Sequence, residues 1–416
     1  MEIIRYKDLT DDFFSCESTE DIKIVEEIIS DVKANSDTAL IKYAKKFDNL
    51  DLDDFSITPK QIREAYEKTD SKTILTLKKA IENIEFFAQK QMSNFVDFEA
   101  ERNGIVLGQK IIPLETVGCY IPGGRFPLPS SALMSIIPAK VAGVESIIAC
   151  SPKIQAITIV ACDLAGADRI FNIGGVQAIA ALAFGTRDIP KVDKIVGPGN
   201  KYVSAAKKQV YGTVGIDFIA GPSEVMIIAD ESANPKFIAA DLLAQLEHDT
   251  DARANLIATS SKIAGQVNDE LICQKEKLTT KQIIEESVKN SKIILVEDLD
   301  DAVKIANKYA PEHLEIQVKE QDKLIDKLKN YGSLFIGQNS AEVFGDYCTG
   351  TNHILPTSKA ARYTGGLCVK DFVKIQTYQK AGKNSLDELV KISAKFAEIE
   401  GLDAHKRAAS IRLKGE

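Results

Sequence analysis

The feature that most constrains the fold is a regular alternation of two kinds of segment, which begins at Leu114. Short runs rich in β-branched residues follow one another, and alanine-rich segments with helical spacing separate them. Such an alternation favours a parallel sheet, because parallel neighbours need a long crossover connection, usually a helix. The first set of predicted strands covers 116–121, 146–150, 169–173 and 194–196, and the helices between and after them cover 130–144, 154–165, 175–184 and 200–210.

A second set of strands is predicted after a break near Gly221-Pro222. With 416 residues, the chain exceeds the roughly 250–300 residues that one core supports. We therefore predict an α/β fold of two lobes with mainly parallel, incomplete Rossmann-like sheets flanked by helices, plus helical N- and C-terminal extensions. The second set of strands covers 225–229, 255–259, 292–296 and 333–336; terminal helices are predicted over 18–47, 58–92 and from 385; the predicted regions are 1–110, 111–222, 223–357 and 358–416.

Composition narrows the class of function. The net charge of −8 argues against binding to nucleic acid or to an anionic membrane, since both usually need a basic patch. The N-terminus is too charged for a secretory segment, and no apolar run approaches the roughly 18 residues of a membrane span. Seven cysteines without a CxxC pair indicate free thiols in a reducing compartment. We expect a cytoplasmic protein that acts on a small molecule.

Glycine-rich turns follow the strands of the first set. Their sequences are PGGRFPLPSS, GGVQ, GPGNKY and AGPSE, the last of which leads into the second set. In parallel sheets, ligands bind beyond the carboxyl ends of the strands, and bare backbone at a helix N-terminus favours phosphate. A GxGxxG fingerprint is absent. The turns indicate either a nucleotide or phosphorylated ligand, or tight packing alone.

Gln245 and His248 lie three residues apart in AQLEHD, at the end of a helix predicted to begin at Asn234-Pro235. Residues at this spacing share a helical face, and both side chains can bind a transition metal. Taken alone, such a pair is more often solvated or hydrogen-bonded than metal-binding.

A second candidate pair, Glu312-His313, stands where a loop enters a strand. An imidazole titrates near neutral pH, and a partly buried glutamate can be raised towards it, so the pair can exchange protons with a substrate. The alternative is a Glu–His turn without a role.

The segment 344–357 contains Asp346 and His353, and its glycine and proline residues argue against a helix. Glu400 and His405 lie near the start of the last helix, where a pair without function is the common case. Together with Gln245 and His248, Asp346 and another histidine would form a metal site of nitrogen and oxygen ligands, of the kind left open for a substrate.

Four long motifs carry a resemblance to a known family. The segment 192–230, LLAQLEHD, YAPEHLEI and the segment 345–372 occur in the order and spacing typical of the histidinol dehydrogenase family, and the similarity extends from about Val117 to His405. This resemblance implies an oxidoreductase that converts L-histidinol to L-histidinal and then to L-histidine, using two NAD+ in succession. It also implies one zinc ion per subunit and a homodimer whose C-terminal tail is exchanged between subunits.

The resemblance assigns roles to individual positions. His313 is expected to take the alcohol proton, and Glu312 to activate water for the second oxidation. The remaining roles implied by the matched motifs are zinc binding by Gln245, His248, Asp346 and, from the partner subunit, His405; substrate contact by Ser223, His353 and Glu400 as well as by the zinc ligands and His313; and NAD contact by Tyr120, Gln177 and Asn200. All four histidines of the chain fall on these positions.

Three alternatives stay open at this point. The chain could oxidise an aldehyde through a thiohemiacetal on Cys119 or Cys348. It could be a zinc hydrolase that uses Glu312 without a nicotinamide. It could also be a catalytically silent metal-binding relative.

Overall fold

A computed structural model of the chain describes residues 1–15, 23–50, 54–123 and 126–414. Cys16, positions 18–22 of the predicted first helix, and two residues of PGGRFPLPSS lie outside this range. The strands are β1 (Glu2–Arg5), β2 (Phe98–Arg102), β3 (Ile105–Pro113), β4 (Thr116–Tyr120), β5 (Ser146–Cys150), β6 (Arg169–Phe171), β7 (Lys194–Val196), β8 (Gly215–Ile216), β9 (Glu224–Ala229), β10 (Arg253–Ala258), β11 (Lys292–Leu295), β12 (His313–Gln317), β13 (Ser333–Ile336) and β14 (Val373–Ala381).

The α-helices surround these strands. They are α1 (Lys23–Tyr43), α2 (Pro59–Lys68), α3 (Ser71–Met92), α4 (Pro129–Ala142), α5 (Ala156–Ala165), α6 (Gly175–Phe184), α7 (Lys201–Val210), α8 (Pro235–Leu246), α9 (Ser261–Lys275), α10 (Lys281–Ser287), α11 (Leu299–Tyr309), α12 (Asp322–Ile325), α13 (Glu342–Tyr347), α14 (Leu386–Ile399) and α15 (Asp403–Lys414).

Two parallel sheets form the centre of the described chain. One has five strands in the order β6-β5-β4-β7-β8, and the other has six in the order β1-β11-β10-β9-β12-β13. The central strand β9 is buried over its whole length. Each aliphatic side chain buried there contributes about 1.5–3 kcal/mol to stability. The predicted α/β class with mainly parallel sheets is confirmed, and all eight predicted strands are present.

The two ends of the chain contain strands as well as the predicted helices. β1 joins the six-stranded sheet beside β11, and β2, β3 and β14 form an antiparallel sheet. Asn103 and Gly104 link β2 to β3 with φ values of 53° and 75°. Such a two-residue Asn-Gly turn is a strong hairpin signal, but the charged residues around it obscure the alternation of the two strands. The division at residues 110, 222 and 357 stays a prediction.

Capping residues explain where the N-terminal helices begin. Thr58 and Gln61 form a capping box at the start of α2, and the Asp70 side chain accepts hydrogen bonds from the first turn of α3. The predicted helix over 58–92 is therefore two helices.

Both parallel sheets reverse their strand order once. In the five-stranded sheet the reversal lies between β4 and β7, and in the six-stranded sheet it lies between β9 and β12. The glycine-rich turns follow β4 and β7 at their carboxyl ends, which is the usual ligand position. Glu312 and His313, by contrast, lie at the amino end of β12, beside the start of β9.

Candidate active site

Glu312 and His313 lie at the start of β12 and are both almost fully buried. The backbone N–H of Glu224, the first residue of β9, donates to Oε2 of Glu312 at 2.8 Å. Nδ1–H of His313 donates to the backbone carbonyl oxygen of Glu224 at 3.2 Å. Because a carbonyl can only accept, this contact leaves Nε2 of the neutral ring as the position free to take a proton.

Three carboxylates surround the His313 ring. Glu342 Oε1 lies 3.5 Å and Glu312 Oε2 3.6 Å from Nδ1, and Asp346 Oδ1 lies 3.7 Å from Nε2. Burial by itself lowers the pKa of His313, but the charges of Glu342 and Glu312 outweigh it and hold that pKa well above its usual value. Burial raises the pKa of Glu312 to about 7, which suits a proton acceptor at neutral pH.

Gln245 joins this cluster from the last turn of α8. It is buried, and its amide is satisfied when the nitrogen donates to Glu342 and the oxygen accepts the Glu224 N–H at 3.2 Å. His248 does not share the helix as predicted, because α8 ends at Leu246. It lies just beyond the helix and is exposed, with its backbone N–H directed at the Gln245 carbonyl.

Asp346 and His353 approach the cluster from the other side. Asp346 lies on the short helix α13, so the expectation that 344–357 is free of helix was wrong for its first residues. Nδ1–H of His353 donates to the Asp346 carbonyl oxygen at 2.8 Å, and Nε2 lies 3.3 Å from Oγ of Ser131. Ser131 belongs to α4, beside the five-stranded sheet. The site therefore lies where helices of the two sheets meet.

The donor atoms in this cluster suit a metal ion. His313, Glu342 and Asp346 each offer a ligand atom, and these atoms lie within 4.8 Å of one another. Among the described residues, Nε2 of His313 and Oε2 of Glu342 are buried without a hydrogen-bond partner. Burying several such acceptors together costs free energy unless they share a proton or a cation.

The predicted zinc ligands are only partly brought together. Asp346 belongs to the cluster and Gln245 contacts its Glu342. The charge of His248 acts on Asp346, which places the two near each other. His405 and Glu400 are exposed at α15 and just before it, so a single chain does not enclose them in the site.

The three predicted cofactor positions lie at the carboxyl edge of the five-stranded sheet. The Tyr120 hydroxyl accepts the Gly175 N–H at 3.1 Å, and the Asn200 side chain caps α7. Gln177 is buried in α6, 3.5 Å from an Asp48 oxygen. Ser223 is half-buried in the turn before β9. All four side chains stand beside glycine-rich turns.

A buried ion pair fixes one of these turns. Lys207 and Asp217 are almost fully buried and in contact. Lys207 Nζ donates to the Gly197 carbonyl at 2.9 Å, and Asp217 accepts the Gly197 N–H at 2.8 Å. Gly197 has φ 114°, and a Cβ there would collide with the Tyr120 carbonyl. The GPGNKY turn is therefore held rigidly against the end of β4.

Sequence reasoning missed Glu224, Glu342 and Ser131. Glu342 stands four residues before Asp346, a spacing that puts both carboxylates on one face of a helix. That signal was lost because no helix was expected there. The thiol alternative is weakened for Cys119, since burial raises the pKa of its thiol to about 12 and the reactive thiolate is not formed at neutral pH.

Fold and site together define an α/β enzyme in which a buried Glu–His pair lies beside a candidate metal site. A family model described as histidinol dehydrogenase matches residues 15–413. The chain belongs to the histidinol dehydrogenase family of oxidoreductases.

Individual relatives are similar over nearly the whole chain. Histidinol dehydrogenase of Methanocaldococcus jannaschii is 49% identical over 94% of this chain and 92% of its own, and that of Clostridium acetobutylicum is 48% identical over 96% and 94%. The crystal structure of histidinol dehydrogenase from Elizabethkingia anophelis superposes with a TM-score of 0.95 at 37% identity, covering 100% of this chain and 98% of the other. Across the described ranges, every helix is too short or too polar to cross a membrane.

Proposed function

We propose that this protein oxidises L-histidinol through L-histidinal to L-histidine in two NAD+-dependent steps, the last steps of histidine biosynthesis. The observation that carries the proposal is the buried Glu312–His313 pair beside Gln245, Glu342 and Asp346, in a chain of this family. The expected cytoplasmic location and the expected lack of nucleic-acid and membrane partners stay predictions.

Zinc is the metal we propose, held by Gln245, His248 and Asp346 and by His405 of the partner subunit. When bound, it would supply Lewis acidity towards the substrate and a positive charge that offsets the carboxylates around His313. Two of these donors, Gln245 and Asp346, are buried in the cluster, where Nε2 of His313 and Oε2 of Glu342 are buried without a hydrogen-bond partner among the described residues. His248 is exposed in one chain, and its imidazole nitrogen is a donor that zinc accepts.

The side chains of the cluster have distinct tasks in this proposal. The positive charge of bound zinc would offset the carboxylates that raise the pKa of His313. The neutral ring then accepts the alcohol proton at Nε2, since Nδ1–H is held by the Glu224 carbonyl. Glu312, with its pKa near 7, deprotonates the water that hydrates the aldehyde before the second oxidation. Ser223, His353 and Glu400 contact the substrate. Tyr120, Gln177 and Asn200 line the proposed place of NAD+, which supplies the hydride acceptor in both steps.

A homodimer with a shared site accounts for the exposed residues at the C-terminal end. Ile392, Phe396 and Ile399 on α14 are 48%, 61% and 70% exposed, which leaves an apolar face uncovered in one chain. We propose that a second copy covers this face and that α15 and the turn before it bring His405 and Glu400 to the partner's cluster.

The test is to add L-histidinol and NAD+ to the purified protein and to follow NADH by absorbance. We expect NADH to form, and to stop forming after zinc is removed with a chelator and resume when zinc is restored. A zinc hydrolase or a silent relative would bind zinc but produce no NADH from histidinol.

A further inference from the structure

The backbone of Glu224 contacts both proposed proton-transfer residues. Its N–H donates to Glu312 and its carbonyl accepts from His313 Nδ1. Pairing between β9 and β12 begins one residue later, with Val225 opposite His313. The N–H and C=O of Glu224 are therefore bonded to the side chains of Glu312 and His313, and not to the backbone of a neighbouring strand as in a regular sheet.

The side chain of Glu224 is anchored separately. Its carboxylate accepts the Tyr309 hydroxyl at 3.0 Å and the Ser358 N–H at 3.1 Å, and it is almost fully buried. Tyr309 is the last residue of α11, three positions before Glu312. The carboxylate of Glu224 therefore holds the beginning of the segment 309–313, and its backbone N–H and C=O hold the end.

This segment contains a strained residue. Ala310 has φ 56° and ψ 63°, a left-handed conformation that is costly for a residue with a Cβ. Such strain persists only where the surroundings hold the backbone in place. Gly332 and Ser333 bond to the carbonyls of Pro311 and Glu312 from the β13 side, so contacts on both sides fix the turn.

We propose that Glu224 is a positioning residue for the reaction, which holds the turn 309–313 at both ends and thereby aligns Glu312 and His313. This inference rests on the proposed function. Its carboxylate acts through Tyr309 and does not touch the substrate. Because a displacement of about 1 Å at reacting groups can lower a rate about 100-fold, loss of this contact should reduce turnover more than substrate binding.

The sharpest test is Tyr309→Phe, which removes one hydroxyl and keeps the ring. The matched control is Tyr66→Phe, since the Tyr66 hydroxyl donates to an Asp163 carboxylate at 2.7 Å away from the site. We expect kcat with histidinol to fall about tenfold in Tyr309→Phe, because a small displacement of Glu312 and His313 is enough for a loss of this size. The KM values and the zinc content should stay unchanged. In Tyr66→Phe, kcat should stay that of the unaltered protein.

Two variants of Glu224 extend the test. Glu224→Gln keeps an oxygen acceptor and should retain more turnover per bound zinc than Glu224→Ala. The turnover of both variants is measured on their folded fraction. Equal kcat in Tyr309→Phe and Tyr66→Phe would overturn the proposal, as would a loss of rate that matches the loss of folded protein. If the unaltered protein does not oxidise histidinol, the proposed function fails instead.

Discussion

At the scale of single residues, the two ring nitrogens of His313 have different surroundings. Nδ1–H is bonded to a backbone carbonyl, whereas Nε2 is buried and, within the described residues, without a hydrogen-bond partner. Glu312 lies beside the same ring, with one oxygen held by the Glu224 N–H. The two neighbours can therefore serve different proton transfers without changing places.

Replacing each member of this pair should affect a different half of the reaction. We expect His313→Asn to slow oxidation of histidinol by about 100-fold or more, because the proposed general base of that step is lost. Glu312→Gln should slow oxidation of supplied histidinal more than formation of the aldehyde. Rates for the two substrates and zinc content by metal analysis check this. Equal loss of zinc in both variants would contradict the assigned roles.

The sequence predicted these two residues but not the ones that hold them. Glu312 and His313 stand out because they are adjacent and enter a strand. Glu224 contacts both residues through its backbone N–H and C=O, which no residue pattern reveals. Glu342 acquires its importance only when α13 packs against α8, and that contact joins segments far apart in the sequence.

At the scale of elements, a second buried acidic pair links α8 to β12. Asp241 on α8 interacts with Glu315 on β12, two residues after His313, and Nε2 of Gln317 lies 3.5 Å from an Asp241 oxygen. Gln317 donates to Glu315 as well. Burial raises the pKa of both carboxyl groups, that of Glu315 to about 9, so the pair keeps a proton at neutral pH. This shared proton ties the helix of Gln245 to the strand of His313.

Stability should therefore fall as the pH rises. The pKa of Glu315 in the folded protein exceeds its value of about 4.3 in an unfolded chain. A raised pKa gives stability that is complete below the unfolded pKa and is lost as the pH passes through about 9. The free energy of unfolding in urea should decrease by up to about 1.4 kcal/mol per pH unit for this group.

The variant Glu315→Gln isolates this effect, because an amide can donate to Asp241 without a titrating proton. Its free energy of unfolding should depend less on pH between 6 and 9 than that of the unaltered protein. Glu320→Gln is the control, since Glu320 is 59% exposed. Parallel pH curves for Glu315→Gln and the unaltered protein would contradict the shared proton.

At the scale of the whole molecule, periodicity predicted the two parallel sheets but not how the ends of the chain complete them. β1 pairs with β11, about 290 residues away, and β14 pairs with β3. Edge strands such as β1 and β14 depend on distant partners, so local pattern identifies them poorly. The position of α14 and α15 likewise depends on the surface that packs against their apolar face. The sequence of one chain does not identify that surface.

A shared site makes a prediction about mixed subunits. His248→Asn and His405→Asn should each lower zinc affinity and activity, because each removes a proposed ligand. If the variants are mixed, unfolded and refolded together, half of the dimers combine one of each and restore one of two sites. Activity should return to about a quarter of the unaltered level. Activity that stays at the level of the separate variants would show that His405 does not act across subunits.

The central claim is that one site performs both oxidations on the same molecule. The most direct measurement is the amount of NADH formed for each molecule of L-histidinol consumed, with the products identified by mass spectrometry. We predict two NADH per histidinol and L-histidine as the product. One NADH per histidinol with accumulation of the aldehyde, or consumption of histidinol without NADH, would contradict the account.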